Sequence, residues 1–198
     1  MDKIICLGKN YLKHAQEMKE DLPEKPVIFI KPPSNYFLLS DYAQLTKVVL
    51  DDRHGNIQPE LEVVIQVDAK GKILNFTLGL DLTKRELQKK LKAKGHPWTI
   101  AKVFEHAAVV APWIPFKEFE KYEKLPFTFS INGEEKQKGF IGDMLLKLED
   151  CPRYILENFP LHDKDVIFTG TPEGVFDVVK GDTSILKWGN KSWPVEWI

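Results

Sequence analysis

Glu60-Leu61-Glu62-Val63-Val64-Ile65-Gln66-Val67 is the stretch on which the fold turns. Its β-branched run follows Pro59 and reads as the clearest strand of the chain. Side chains of a strand alternate between faces, so Glu60 and Glu62 project from the same one. Working outward, residues 76–80 read as another strand, with Asp81 after it and a helix over residues 84–94. Thr83 with Glu86 three positions on forms a capping box for that helix. Residues 44–50 form a strand before the turn cluster 51–56, which includes His54. Residues 4–8 and 27–30 read as strands, with a helix over residues 11–18 between them. Asn10 caps this helix, Pro23 and Pro26 close it, and it is expected to open to admit substrate. Residues 127–131 and 134–138 flank Asn132-Gly133, a type I′ hairpin. A helix follows Pro152, residues 165–169 form a strand, and residues 183–188 the last one. Strands outnumber helices, which predicts an α+β domain dominated by a curved or closed sheet.

The chain has 198 residues, 28 Lys+Arg against 29 Asp+Glu, and a formal net charge of −1. That balance argues against a nucleic-acid or anionic-membrane binder, and the 29% charged and 43% hydrophobic shares are those of a globular chain. A single domain over residues 1–198 is expected. No apolar run approaches the ~18–20 residues of a membrane span, and nothing before Gly8 reads as a secretory signal. Cys6 and Cys151 are therefore expected as reduced, buried thiols in a cytoplasmic protein.

Two like charges side by side on a strand are unfavourable unless a cation lies between them. If Asp81 converges on Glu60 and Glu62, each pair at ~4 Å repels by roughly 4 kcal/mol at an effective dielectric of ~20. A divalent cation would remove that conflict. An all-oxygen set with no Cys or His favours Mg²⁺, Mn²⁺ or Ca²⁺ over zinc. His14 and Glu17, three apart on a helix, form either a surface pair or a dyad in which Glu17 orients His14 to take a proton from water. Arg85 and Gln88 repeat this spacing, for which the capping box is a sufficient structural reason. Lys102 sits in an apolar context, either snorkelling or aimed at an anionic substrate. Gly170-Thr171-Pro172-Glu173-Gly174 is a sharp turn without the ending of a phosphate loop.

In order, these residues resemble the fumarylacetoacetate hydrolase family. The matching segments are Gly8-Lys9-Asn10-Tyr11 with His14 and Glu17, Phe29-Ile30-Lys31-Pro32, Glu60-Leu61-Glu62, and Asp81 through Gln88. Pro97-Trp98 with Ala101-Lys102, Asn132-Gly133-Glu134, and Thr169 through Gly174 follow in the family's order. The resemblance is to the short acylpyruvase and oxaloacetate decarboxylase branch. It implies a mixed β-sandwich roll, a homodimer, and a divalent metal on Glu60, Glu62 and Asp81. It also implies substrate or metal-site contacts from Arg85, Gln88, Lys102 and Thr171. Pro59, Val63, Val103 and Glu105 depart from the common pattern, and none is an implied ligand. The implied substrate is a small 2-oxo or 2,4-dioxo acid. Hydrolysis of acylpyruvates is the leading expectation, with His14 as base, Glu17 beside it and Lys102 offsetting the charge of the acid. Oxaloacetate decarboxylation, tautomerisation or isomerisation of a 2-oxo acid is the alternative. A non-catalytic metal-binding relic of the fold is the reading from a different class.

Overall fold

A computed structural model describes residues 1–17, 25–53 and 55–198; Met18, Pro23 and His54 of the readings above lie outside them. In chain order the strands are β1 (Ile4–Gly8), β2 (Val27–Lys31), β3 (Tyr36–Leu38), β4 (Thr46–Val48), β5 (Ile57–Val67), β6 (Ile73–Lys84) and β7 (Ala108–Val110). They continue with β8 (Ile114–Pro115), β9 (Phe127–Ile131), β10 (Glu134–Gly139), β11 (Asp165–Phe168), β12 (Thr183–Trp188) and β13 (Lys191–Trp197). Three short helices are interspersed among the described residues: α1 (Leu12–Glu17), α2 (Arg85–Ala93) and α3 (Cys151–Leu156). The larger sheet runs β2-β1-β11-β5-β6-β7-β3 with β8 also on β6, and the smaller runs β10-β9-β12-β13-β4. Both are mixed: β1 lies parallel to β11, β3 to β7 and β13 to β4. This is the expected α+β class, curled mixed sheets with few short helices.

β5 is buried on both faces, and the period of two sorts its residues. Leu61, Val63, Ile65 and Val67 join Phe76, Leu78, Leu80 and Leu82 of β6 in the main core, with Trp188, Trp193 and Trp197 from the smaller sheet. Phe76 meets Trp188 edge-on at 5.4 Å and Phe119 at 5.3 Å, the favoured aromatic geometry. On the opposite face Val64 joins a smaller cluster with Ile4, Cys6 and Phe168. Glu60 and Glu62 are on that second face. Cys6 and Cys151 are buried and unbridged.

Several local expectations are corrected. β6 does not stop at Leu80 but runs through Asp81 to Lys84, so α2 begins straight from the strand. The capping box does not form: Lys84 holds the cap position without a side-chain bond, and the Thr83 hydroxyl donates to Asp81 O instead. Asn10 does not cap α1. Its side-chain amide donates to Leu146 O and Thr169 O and its carbonyl accepts from Leu146 N–H, tying three segments together. Pro59 lies inside β5, where β11, which pairs only with Val64–Val67, does not reach. Pro152 lies inside the first turn of α3, where a missing N–H is tolerated. β12 is followed by one more strand, β13. The hairpin forms as expected, with Asn132 and Gly133 at φ 50° and 83°.

Asp165 anchors β1. Its buried carboxylate accepts from the N–H groups of Asp2, Lys3 and His162 and pairs with Lys3 Nζ at 2.8 Å. Burial opposes its ionisation, but Lys3 and those N–H groups hold its pKa below the ordinary 3.8. A depressed carboxyl stabilises the fold above its unfolded pKa and loses that contribution as pH falls through the folded one. Asp165→Asn is therefore expected to cost about 1–3 kcal/mol at neutral pH. Denaturant titrations should find the gap to wild type closing as pH falls below 3.8; an unchanged gap would contradict this account.

Candidate active site and metal centre

The register of β5 on β6 builds the centre. Glu60 pairs directly with Asp81, and Glu62 with Gly79. Glycine is needed there, since a Cβ on Gly79 would lie 2.7 Å from Val64 Cγ2 and 2.8 Å from Val109 O. Carboxylate oxygens of Glu60, Glu62 and Asp81 come within 4.8 Å of one another, all buried. On the far side of β5, the chain leaving β11 runs along Leu61 and Glu62. There Gly170 N–H donates to Glu62 Oε2 at 2.6 Å, and the Thr171 hydroxyl donates to Leu61 O.

The expected repulsion is answered in part by the chain itself. Lys102 Nζ bridges Glu60 Oε2 at 2.7 Å and Asp81 Oδ2 at 2.6 Å. Arg85, starting α2 four residues after Asp81, pairs with Glu60 and donates to Gln58 and Gln88. Lys31 Nζ, fully buried, lies 2.7 Å from Asp81 Oδ1 and donates to Ala107 O and Leu82 O. Burial opposes the charge on Glu60, yet Lys102 and Arg85 outweigh it and hold its carboxyl well below the usual range. Lys102 responds in kind: burial lowers its pKa, and Asp81 with Glu60 more than restores it.

Two atoms are left over. Glu62 makes no ion pair among the described residues, and burial, Asp81 and Glu60 push its pKa well above the ordinary 4.5. Asp81 Oδ1 meets Lys31 off hydrogen-bond geometry and accepts no hydrogen bond. A buried carboxylate without a counter-charge and a buried oxygen without a donor suit an oxygen-binding divalent cation. The residues present fit that group.

His14 and Glu17 stand at the rim on α1, His14 Nδ1 3.4 Å from Glu17 Oε2. The Glu17 carboxylate also accepts from Gly174 N–H at 3.2 Å. This fastens α1 to the turn at Gly170–Gly174. Gly174, at φ 92°, has its Cβ position 2.0 Å from Lys136 O, so no side chain fits there. One cavity of about 200 Å³ is lined by the three carboxylates together with His14, Arg85, Gln88, Lys102 and Thr171. Of the expected site residues, only Glu17 is absent from this lining, touching it through His14. Sequence reasoning gave no site role to Lys31, although a lysine closing an apolar strand is a signal. It also missed Gln137. That side chain accepts from Leu61 N–H and donates to Thr171 Oγ1 and Pro172 O, bracing the turn. Nothing in its polar surroundings in sequence marks it.

The fumarylacetoacetate (FAA) hydrolase C-terminal family model matches residues 3–191. The chain belongs to the fumarylacetoacetate hydrolase family. It is similar to the Escherichia coli K12 oxaloacetate tautomerase YcgM, 34% identical over 193 residues, covering 92% of this chain and 86% of that protein. It is 35% identical over 185 residues to the mitochondrial oxaloacetate tautomerase FAHD1 of Arabidopsis thaliana, covering 90% of this chain and 82% of that one. Among solved structures, fumarylpyruvate hydrolase from Pseudomonas aeruginosa in complex with Mn²⁺ and pyruvate superposes with a TM-score of 0.91 at 26% identity. That match covers 99% of this chain and 89% of the other. These members of the fumarylacetoacetate hydrolase family are enzymes, and on this breadth of match so is this chain. No helix among the described residues is long and apolar enough to cross a membrane.

Proposed function

We propose that this protein is a divalent-metal-dependent hydrolase that cleaves a C–C bond of acylpyruvates or related 2,4-diketo acids, giving pyruvate and a carboxylate. The observation that carries this reading is the His14–Glu17 pair on the rim of the cavity whose floor is the carboxylate cluster. Glu60, Glu62 and Asp81 would hold Mg²⁺ or Mn²⁺. Bound there, the ion supplies positive charge where negative charge develops on a 2-oxo acid. His14 Nδ1–H donates to Glu17, which leaves Nε2 as the base for water. Glu17, tied to Gly174, fixes the ring, and its 3.4 Å bond is of a length that tightens once substrate is bound. The water proton passes to His14, oxygen adds to the distal carbonyl, and the C–C bond electrons leave towards pyruvate C3. Lys102 and Arg85 keep Glu60 ionised, and with Gln88 and Thr171 they line the space for the acid head.

A second reading, oxaloacetate tautomerisation or decarboxylation, is favoured by the names of the sequence relatives, which include a Dictyostelium discoideum oxaloacetate decarboxylase at 30% identity. It needs no activated water. The deciding measurement is turnover of acetylpyruvate, fumarylpyruvate and oxaloacetate side by side, with Mg²⁺ or with chelator. Pyruvate release from the acylpyruvates that chelator abolishes is expected; turnover of oxaloacetate alone would move the assignment to the second reading. The whole chain acts as one catalytic domain. Its unbridged cysteines support a cytoplasmic setting, and exposed Leu38, Tyr42, Leu45 and Val49 supply apolar surface for a homodimer.

A further inference from the structure

The turn at residues 170–174 serves both halves of the site, and its two ends are held differently. At the near end, the Thr169 N–H and hydroxyl donate to Val63 O, Asn10 donates to Thr169 O, and Gly170 N–H reaches Glu62. At the far end, Gly174 N–H reaches Glu17. Among the described residues, hydrogen bonds reach residues 172–174 from Gln137 and Glu17 only. Gln137 is thus the tie between the far end and the sheets.

The need for that side chain arises on β5. β11 pairs with β5 no further than Val64, so on that side the N–H and C=O of Leu61, between the two glutamates, have no strand beside them. Buried backbone groups require partners. Gln137 Oε1 accepts from Leu61 N–H at 2.9 Å, and the Thr171 hydroxyl donates to Leu61 O at 2.8 Å. A backbone N–H only donates, so the amide oxygen of Gln137 faces Leu61 and its nitrogen faces the turn. The two hydrogens of that nitrogen go to Thr171 Oγ1 and Pro172 O, both at 2.9 Å. A bulge delivers the side chain: β10 holds an extra residue between Glu135, opposite Ser130, and Gln137, opposite Phe129. Residues two apart share a face of a regular strand, yet here Glu135 is exposed and Gln137 buried. Bulges re-aim side chains in this way. The extra residue, Lys136, sets its carbonyl against Gly174, 2.0 Å from where a Cβ would be.

We propose that Gln137 is a positioning residue that acts through the far half of the turn on Glu17, and so sets the His14–Glu17 pair against the carboxylate floor. It does not line the cavity. The assignment rests on the function proposed above, in which Glu17 orients His14. Because the near end has ties of its own, loss of the Gln137 amide releases Gly174 and Glu17 while Gly170 stays on Glu62.

The test is a double-variant cycle. Gln137→Met keeps most of the volume and removes the amide, and Gln137→Asn keeps an amide one CH₂ too short to span Leu61 and Pro172. Each is made alone and together with Glu17→Ala, and either one that folds completes the cycle. With Glu17 present, kcat for acetylpyruvate hydrolysis is expected to fall about 10–100-fold with KM little changed. Mn²⁺ affinity, read by titration calorimetry without substrate, should be retained. In Glu17→Ala the same substitution should cost little more, since no carboxylate is left for the turn to hold. Equal losses in the two backgrounds, or Mn²⁺ affinity falling in step with kcat, would overturn the assignment and make Gln137 a support of the fold, with the proposed function standing. Absence of acylpyruvate hydrolysis in the wild type would overturn both.

Discussion

In a His14→Ala variant, kcat/KM for acylpyruvate hydrolysis is expected to fall by about 10²–10⁴-fold, the usual worth of a general base. Affinity for Mn²⁺ changes far less, because His14 stands at the rim and is not among the three carboxylates that could hold the ion. Decarboxylation of oxaloacetate by the same variant falls less than hydrolysis, since loss of CO₂ requires no activated water. Glu17→Ala is expected to follow His14→Ala in direction, because Glu17 lies 3.4 Å from His14 Nδ1 and accepts from Gly174 N–H. The measurement is kcat/KM for both substrates at saturating Mg²⁺, beside metal titrations of each variant. Equal losses on the two substrates would mean that the pair organises the closed cavity rather than the water. Wild-type turnover in both variants would make the helix pair structural and end the proposed mechanism.

The carboxylate pair was legible because a strand has a rigid period of two: Glu60-Leu61-Glu62 has one reading once residues 60–67 are a strand. The Asn132-Gly133 hairpin was legible for a similar reason, since both turn residues need positive φ and their types accept it. The misreadings share a different cause. Asn10 and Thr83 are residue types that cap helices, and each spends its side chain elsewhere. Asn10 reaches segments more than a hundred residues away, a partnership local pattern cannot express. Thr83 belongs to a buried strand that continues to Lys84, so its hydroxyl finds a carbonyl of its own strand before any helix begins. β13 alternates Trp193, Val195 and Trp197 towards the core, a legible pattern masked by Pro194, which sits just before the pairing with β4 begins. Charge was misjudged in one respect. Repulsion among the carboxylates was expected to demand a metal ion, whereas Lys31, Arg85 and Lys102 offset much of the charge of Glu60 and Asp81, so Glu62 and the donor-less Asp81 Oδ1 carry the argument for an ion.

That division of charge sets the largest stability effect. Lys31→Met is expected to lower the stability of the metal-free protein by about 3–5 kcal/mol, the cost of breaking a buried ion pair by removing one partner. The ammonium is fully buried, forms an ion pair with Asp81 at 2.7 Å off hydrogen-bond geometry, and donates to Ala107 O and Leu82 O. Methionine fills much the same volume, so the loss reads charge and hydrogen bonding rather than a cavity. Asp81 would keep Lys102, but Lys102 is shared with Glu60, and three buried carboxylates would then face two cations. Saturating Mn²⁺ should return a good part of the loss, because a divalent ion replaces the missing positive charge at the same oxygens. The double variant Lys31→Met/Asp81→Asn should recover stability in chelator, since neither charge remains to be unpaired. Urea denaturation in chelator and in Mn²⁺ measures all four corners. A loss equal in the two solutions, with no recovery in the double variant, would mean that Lys31 serves packing alone and that the charge balance of the cluster does not govern the stability of the protein.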